Sequence, residues 1–584
     1  MTFKFRWFSS IVIVLAVLGS ASSRAAEQVA SDLARPKLHV AYFVPTDRTP
    51  EPDRVARLDR VMTEVQRFYR EGMKQNGFGP MTFELDRDAK GALKLYEVRG
   101  AEPMRSYGRD DSEKVRREVK AALAKEGLNL DFETIVIFEL LLEWKGDKAT
   151  EVGPYVGGGN AHGGTAWVFD DAKLDPVLLA SKEPGGCYGG PCSIGQFNTH
   201  YIGGVSHELG HALGLPHDKE RDSERPSKGN SLMGSGNHTY GEQLRGEGPG
   251  TFLTAASALP LSVHPLFTGK RKMPTKVTCE IYDLTAAPDK GKLTLAGRLQ
   301  GGPKIIGVVA YNDAQDIRDD YDATGWISRV DGEGRFGFVI EDLRPVGYDL
   351  RLSAISESGD ERQFAYRYTV DSDNRPDVGP LLESERMQKA MEAYRAKDAK
   401  RLAEIAAQAT AQTPAPAGFV RKVKLLQQLL LPIDVRDLAD LPKDTASVKL
   451  ANLKMESMTV GWGRALRNQV LPEGEGGVLL EVGGTCFESG LFAHAPARYA
   501  LRIGRGWKTL ATQFGLQNGH DGSVVFVVKG DGKELFRSPT IRDHAVRCLS
   551  IPVAEVDLLE LIVENAGDGA SGDWGVWLDP ELRR

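Results

Sequence analysis

Residues 38–44 form an unbroken apolar run, the pattern of a strand buried on both faces. Apolar positions then recur at three- and four-residue intervals over residues 53–76, at Val55, Leu58, Val61, Met62, Val65, Phe68, Tyr69 and Met73, which predicts one helix. Residues 81–85 and 93–98 read as strands around a turn containing Gly91, and 112–126 as a charged amphipathic helix. Residues 132–142 read as a central strand and 164–169 as a further short one. The glycines before the latter, Gly157 to Gly159 with Gly163 and Gly164, offer bare backbone that a substrate chain can approach. Strand, helix and strands in this order predict an α/β unit over 37–266. From 275 to 371 the pattern changes to short strand-like runs punctuated by Gly, Pro and Asp, which predicts an immunoglobulin-like β-sandwich. It carries no chemical motif and reads as a spacer or exosite module. Residues 381–432 return to helical spacing, broken at Pro414 and Pro416, and read as a short helical linker. Residues 446–584 are β-rich again.

The chemistry is concentrated in one stretch of the first unit, His207-Glu208-Leu209-Gly210-His211-Ala212-Leu213-Gly214-Leu215-Pro216-His217. On a helix turning about 100° per residue, His207 and His211 share a face one turn apart, where one Zn²⁺ can take both imidazoles. Glu208 is offset from them and can serve as general base towards water. Gly214 is suited to end the helix with positive φ and turn the chain back, bringing His217 to the same ion. Three protein ligands leave the fourth position open, the pattern of a catalytic metal site.

With Ser231-Leu232-Met233-Gly234 close behind, the sequence resembles the metzincin clan of zinc endopeptidases. The resemblance implies an α/β catalytic domain, one catalytic Zn²⁺ on His207, His211 and His217, Glu208 as base, and Met233 as the Met-turn residue beneath the histidines. It also implies an edge strand that lines the cleft and pairs with extended peptide, with 164–169 as the candidate. Asp218 takes a structural role under the site. Tyr240 stands as a candidate for stabilising an oxyanion, beside the plainer reading of a packing tyrosine. His162 reads as an exposed or hydrogen-bonding loop residue and not as a ligand.

The N-terminus has Lys4 and Arg6, an apolar run at 11–18, and small residues up to Ala25-Ala26. This reads as a signal peptide over 1–26, so the protein is expected to be secreted, periplasmic or at the cell surface. No other stretch is apolar enough to be a transmembrane segment. The net charge of −6, with no basic block, argues against nucleic acid as a partner. Five cysteines suit export: Cys187 and Cys192 flank a short Gly/Pro loop that a disulfide can close, Cys486 and Cys548 form a second candidate pair, and Cys279 is left buried and free. No cysteine precedes Cys187, so a cysteine-switch prodomain is not expected.

In the last segment, Gly490-Leu-Phe-Ala-His494-Ala-Pro496, Asp531-Gly532-Lys533 and Asp573-Trp574-Gly-Val-Trp577 resemble the NPCBM/NEW2 family of galactose-binding-like β-sandwiches. The resemblance implies carbohydrate as a partner, with Asp573, Trp574 and Trp577 as candidate glycan-binding residues. The whole chain therefore reads as multidomain: an α/β metzincin-like domain, an immunoglobulin-like sandwich, a helical linker and a carbohydrate-binding sandwich. The function expected is a secreted zinc-dependent endopeptidase directed to glycosylated substrates or surfaces. The alternative is a non-catalytic carbohydrate-binding protein with a relic metal site; the intact Glu208 favours the enzyme.

Overall fold

The computed structural model describes residues 35–316, 320–411, 417–471 and 477–584. The expected signal peptide lies outside the described residues. The chain divides into two compact units, residues 1–382 and 383–584. Among the described residues no helix is long and apolar enough to cross a membrane.

In the first unit, strands β1 (His39–Val44), β2 (Leu95–Arg99) and β3 (Thr134–Glu139) precede a hairpin of β4 (Leu142–Lys145) and β5 (Lys148–Glu151), followed by β6 (Val156–Asn160) and β7 (Gly163–Phe169). The main sheet runs β2-β1-β3-β7-β6, with β6 the one antiparallel member. Strands β1 and β3 are buried along their whole length, which is why they read as continuous apolar runs. Helix α1 (Arg54–Gln75) buries Leu58, Val61, Met62, Val65, Tyr69 and Met73, the predicted stripe. Helix α2 (Ser112–Leu123) buries Val115, Val119 and Leu123. Residues 81–85 make only an isolated bridge, Leu85 to Leu38, where a strand was expected.

The cleft-side edge differs from the expectation. Strand β7 is interior, and β6 lies outside it. The sequence Val-Gly-Gly-Gly-Asn gives β6 no alternation of side chains, so it reads as loop. Its glycines serve packing: a Cβ at Gly157 would strike the carbonyl oxygen of Glu208, and one at Gly159 or Gly164 that of Ala212, whereas Gly158 faces open space. The helix carrying Glu208 is thus seated against bare backbone.

The expected sandwich has two sheets. Three short strands precede it in the chain, β8 (Cys187–Tyr188), which pairs with β5, and β9 (Asn230–Ser231) and β10 (Thr251–Phe252), which pair with each other; one sheet of the sandwich contains β11 (Glu280–Asp289), β12 (Lys292–Gln300) and β15 (Arg335–Ile340). The other runs β14-β13-β16-β17-β18, with β13 Ile305–Ala314, β14 Thr324–Arg329, β16 Gly347–Ser356, β17 Glu361–Val370 and β18 Pro376–Asp377. Alternate residues such as Leu350, Leu352, Phe364, Tyr366 and Tyr368 fill its core. The reading as a spacer does not hold. Ala256 and Leu259 of a short helix (Ala255–Leu261) share an apolar cluster with Val309, Tyr311, Ala323 and Ile355 of the sandwich, so the two domains form one body.

In the second unit, helices Ala399–Thr410 and Ala417–Leu429 pack together and bury Leu402, Phe419, Val423 and Leu426 against Leu479 and Cys486. These helices are therefore part of that unit's core, where a linker was expected. The remainder is a β-sandwich of a six-stranded and a five-stranded sheet around Phe514, Phe526 and Trp577.

Candidate functional site

The motif lies on α3 (Ile194–Ala212), which begins with a capping box: Ser193 Oγ accepts from the Gln196 N–H, and Gln196 Oε1 accepts from the Ser193 N–H. Cys187 and Cys192 are joined by a disulfide in the loop leading to it. The helix stops where expected. Gly214 has φ 86°, and the Leu215 N–H returns to the Gly210 carbonyl at 3.0 Å. The chain then doubles back, and His217 joins the two helical histidines.

The His211 Nε2 atom lies 3.2 Å from that of His207 and 3.0 Å from that of His217. Nδ1 of His207 lies 2.7 Å from the Leu232 carbonyl, and Nδ1 of His211 lies 2.8 Å from the Leu215 carbonyl. Donation of Nδ1–H to these oxygens leaves the Nε2 lone pairs facing the common centre. Burial first, then the neighbouring His211, pushes His207 down to about 3, which keeps the ring neutral. Three imidazole nitrogens at one point suit a divalent transition ion such as zinc. Glu208 is buried, which pushes its carboxyl up to about 8; the Gly157 N–H pulls the other way and the charge of Glu151 adds to the rise. A cation at the histidines would favour the carboxylate.

The side chain of Met233 is a fully buried floor packed against Gly210, the residue before His211; a Cβ at Gly210 would overlap the Met233 sulfur. Asp218 fixes this floor. Its carboxylate accepts from Ser231 Oγ at 2.5 Å, Thr254 Oγ1 at 2.6 Å and Ser257 Oγ at 3.1 Å, tying the third-histidine turn to the Met233 turn and to the short helix behind it.

Tyr240 does not reach the histidines as an oxyanion donor would. It is buried, its hydroxyl donates to Glu64 on α1 at 2.9 Å, and its ring packs on Phe68. His162 pairs with Asp360 of the sandwich at 2.8 Å. Cys486 and Cys548 are both free, the first buried and the second exposed, so the second candidate pair does not form; Cys279 is free and buried.

Several residues near the motif were missed in the sequence. His200, two helical turns before His207, stacks on His238 and lies 3.4 Å from Glu151, which also pairs with Arg109 at 3.3 Å. Tyr155, stacked on Phe169, lays its hydroxyl over Gly204. Tyr321 of the sandwich stacks on His217 with ring centroids 3.7 Å apart. The spacing of His200 and His207 by seven was the one usable hint, since it puts both on one helix face.

In the second unit, Trp574 is almost fully buried. Its ring lies parallel to that of His520 at 3.8 Å and 5.8 Å from that of Trp462, which is exposed. Asp573 is buried; its Oδ1 accepts from the Ser523 N–H at 2.7 Å, while Oδ2 has no protein partner. Trp577 is in the sandwich core with no exposed surface, packed on Phe514 and Phe526, and cannot meet a glycan. Trp462 is the exposed aromatic beside Trp574.

The fold resembles that of OgpA from Akkermansia muciniphila. The inactive protein in complex with an O-glycopeptide (glycodrosocin) substrate matches at 23% identity over 59% of this chain and 95% of that one, TM-score 0.50. The wild-type protein matches at 22% over 57% and 94%, TM-score 0.50. A curated protein of Renibacterium salmoninarum, named "Putative endo-alpha-N-acetylgalactosaminidase", is 27% identical over 127 residues, 21% of this chain. The match spans only 8% of that relative's length. Residues 446–583 match the NPCBM/NEW2 domain, so the chain ends in a domain of this carbohydrate-binding type.

Proposed function

We propose that this protein is an exported zinc-dependent endopeptidase acting on glycosylated polypeptides, with its C-terminal domain holding it to glycans. The observation that carries this reading is the convergence of the Nε2 atoms of His207, His211 and His217 beside the buried Glu208. The likeness of fold to a protein crystallised with an O-glycopeptide, and the NPCBM/NEW2 domain, support glycoprotein as the substrate class. Zinc bound by the three histidines would supply the positive charge that activates water and polarises the scissile carbonyl. Glu208 accepts the proton of the attacking water on its carboxylate and returns it to the leaving amine nitrogen, so the bond breaks without net proton uptake. Strand β6 is the outer strand of the sheet, and an extended substrate would pair along its main chain.

The purified protein is tested on matched peptides with and without O-linked sugar, with metal content measured on the same sample. Cleavage of the glycosylated peptide by zinc-loaded protein, abolished by chelation, is the expected result. Cleavage of neither peptide by zinc-loaded protein would overturn it.

A further inference from the structure

The third histidine stands apart from the other two. His207 and His211 are borne on α3, but His217 follows the helix on an irregular stretch. Two residues later, the Lys219 N–H donates to the Ala323 carbonyl of the sandwich at 2.7 Å, and Lys219 bridges to Thr324 at the start of β14. Ala323 is fully buried in the cluster shared with Ala256 and Leu259, and Gly325 lies so close to Ala256 that a Cβ there would sit 2.5 Å from the alanine methyl. The sandwich backbone at 323–325 is thus locked to the segment that carries His217. Two residues before this lock, the Tyr321 ring lies 3.7 Å from the His217 ring at an interplanar angle of 27°, and it is nearly parallel to His207 at 6.4 Å. Tyr321 keeps 48% of its surface exposed, so one face covers the histidine while the rest remains open.

From this geometry we propose that Tyr321, supplied by the β-sandwich, is a positioning residue for His217. Its ring fixes the plane of the third imidazole and shields it from water, and so slows loss of the metal. The contact is between ring faces, so the aromatic ring and not the hydroxyl performs this role. The inference rests on the zinc reading above, and its test separates the two.

Zinc-loaded full-length protein is mixed with excess chromophoric chelator, and the rate of zinc release is followed for the parent, Tyr321→Phe, Tyr321→Leu and Tyr321→Ala. Groups that orient metal-binding histidines are worth roughly 10- to 100-fold in metal affinity. Release about tenfold faster from Tyr321→Ala and Tyr321→Leu, with Tyr321→Phe within about twofold of the parent, is the expected result. The cobalt-substituted proteins should show altered visible absorption in the same two variants only. Thermal unfolding of the metal-free proteins checks that the fold is intact, as expected for a half-exposed side chain. Equal release from all four proteins would overturn the role of Tyr321, and so would Tyr321→Phe behaving as Tyr321→Ala. A parent that binds no zinc would overturn the zinc reading itself.

Discussion

The Nδ1 atom of His207 and the carbonyl oxygen of Leu232 lie 2.7 Å apart, so the residue before Met233 sets the orientation of the first histidine. The Met233 turn supports the site twice, by a sulfur under Gly210 and by a carbonyl on His207. That turn is itself held by Asp218, next to the third histidine. Ring orientation and loop anchoring are therefore parts of one network.

Glu208 is separable from this network because the hydrogen bonds that orient His207 and His211 go to the main-chain carbonyls of Leu232 and Leu215. Glu208→Gln should retain zinc at the parent's stoichiometry and lose peptidase activity by about 10³-fold or more. Metal analysis together with glycopeptide turnover checks this. A variant as active as the parent would remove Glu208 from the mechanism.

The seat of α3 on β6 depends on missing side chains. In Gly157→Ala the added methyl meets the Glu208 carbonyl, and neither backbone can yield without moving the helix. A loss of roughly 2 kcal/mol or more in urea unfolding is expected, with a fall in zinc retention. Gly158→Ala, which faces open space, should change little in either measurement.

Glu139 lies at the end of β3, fully buried, with no partner for either carboxylate oxygen, and burial holds its carboxyl well above the usual carboxylate range. The folded protein therefore keeps a proton that the unfolded chain gives up above its ordinary value. Its contribution to stability is complete below that value and declines as pH rises through it towards the folded one. The parent's Tm should fall between about pH 5 and about pH 8 more steeply than that of Glu139→Gln. At the upper end the variant should melt about 2–4 °C higher, corresponding to roughly 1 kcal/mol. Parallel pH profiles for the two proteins would refute this.

The tryptophans of the last domain should separate by role. Trp462→Ala should weaken binding of the full-length protein to a mucin-type glycoprotein about tenfold, read by affinity electrophoresis, with no change in melting. Trp577→Ala empties the sandwich core and should cost about 4 kcal/mol. Undiminished glycoprotein binding by Trp462→Ala would place the glycan elsewhere on the domain.

What the sequence made legible was what is local in the chain. The spacing of His207, His211 and His217 specifies a helix face and a turn, and both need only neighbouring residues. The stripe of α1 and the runs of β1 and β3 are local patterns of the same kind. The hydrogen bond from Tyr240 to Glu64 is not, because spacing after the Met233 turn does not say which way a side chain faces. Strand β6 escaped because three glycines have no hydrophobic pattern to read. Trp574 and Trp577 could have been separated: they lie three apart on one strand (Trp574–Arg583), and period two sends them to opposite faces. Tyr321 was beyond reach because its partner lies in another domain of the fold.

The lock between Lys219 and Ala323 has a kinetic consequence. Helix α3 can form from its own residues, but the contact that steadies the third histidine joins positions about 100 residues apart, so it must await closure of a long loop and pairing of the sandwich strands. During synthesis the histidine motif emerges well before the strand that secures it. At that stage the helix bears two histidines, and the three-histidine arrangement matures only when the second domain docks. Agents that slow β-sheet formation should thus delay metal capture even where the helix content is already complete.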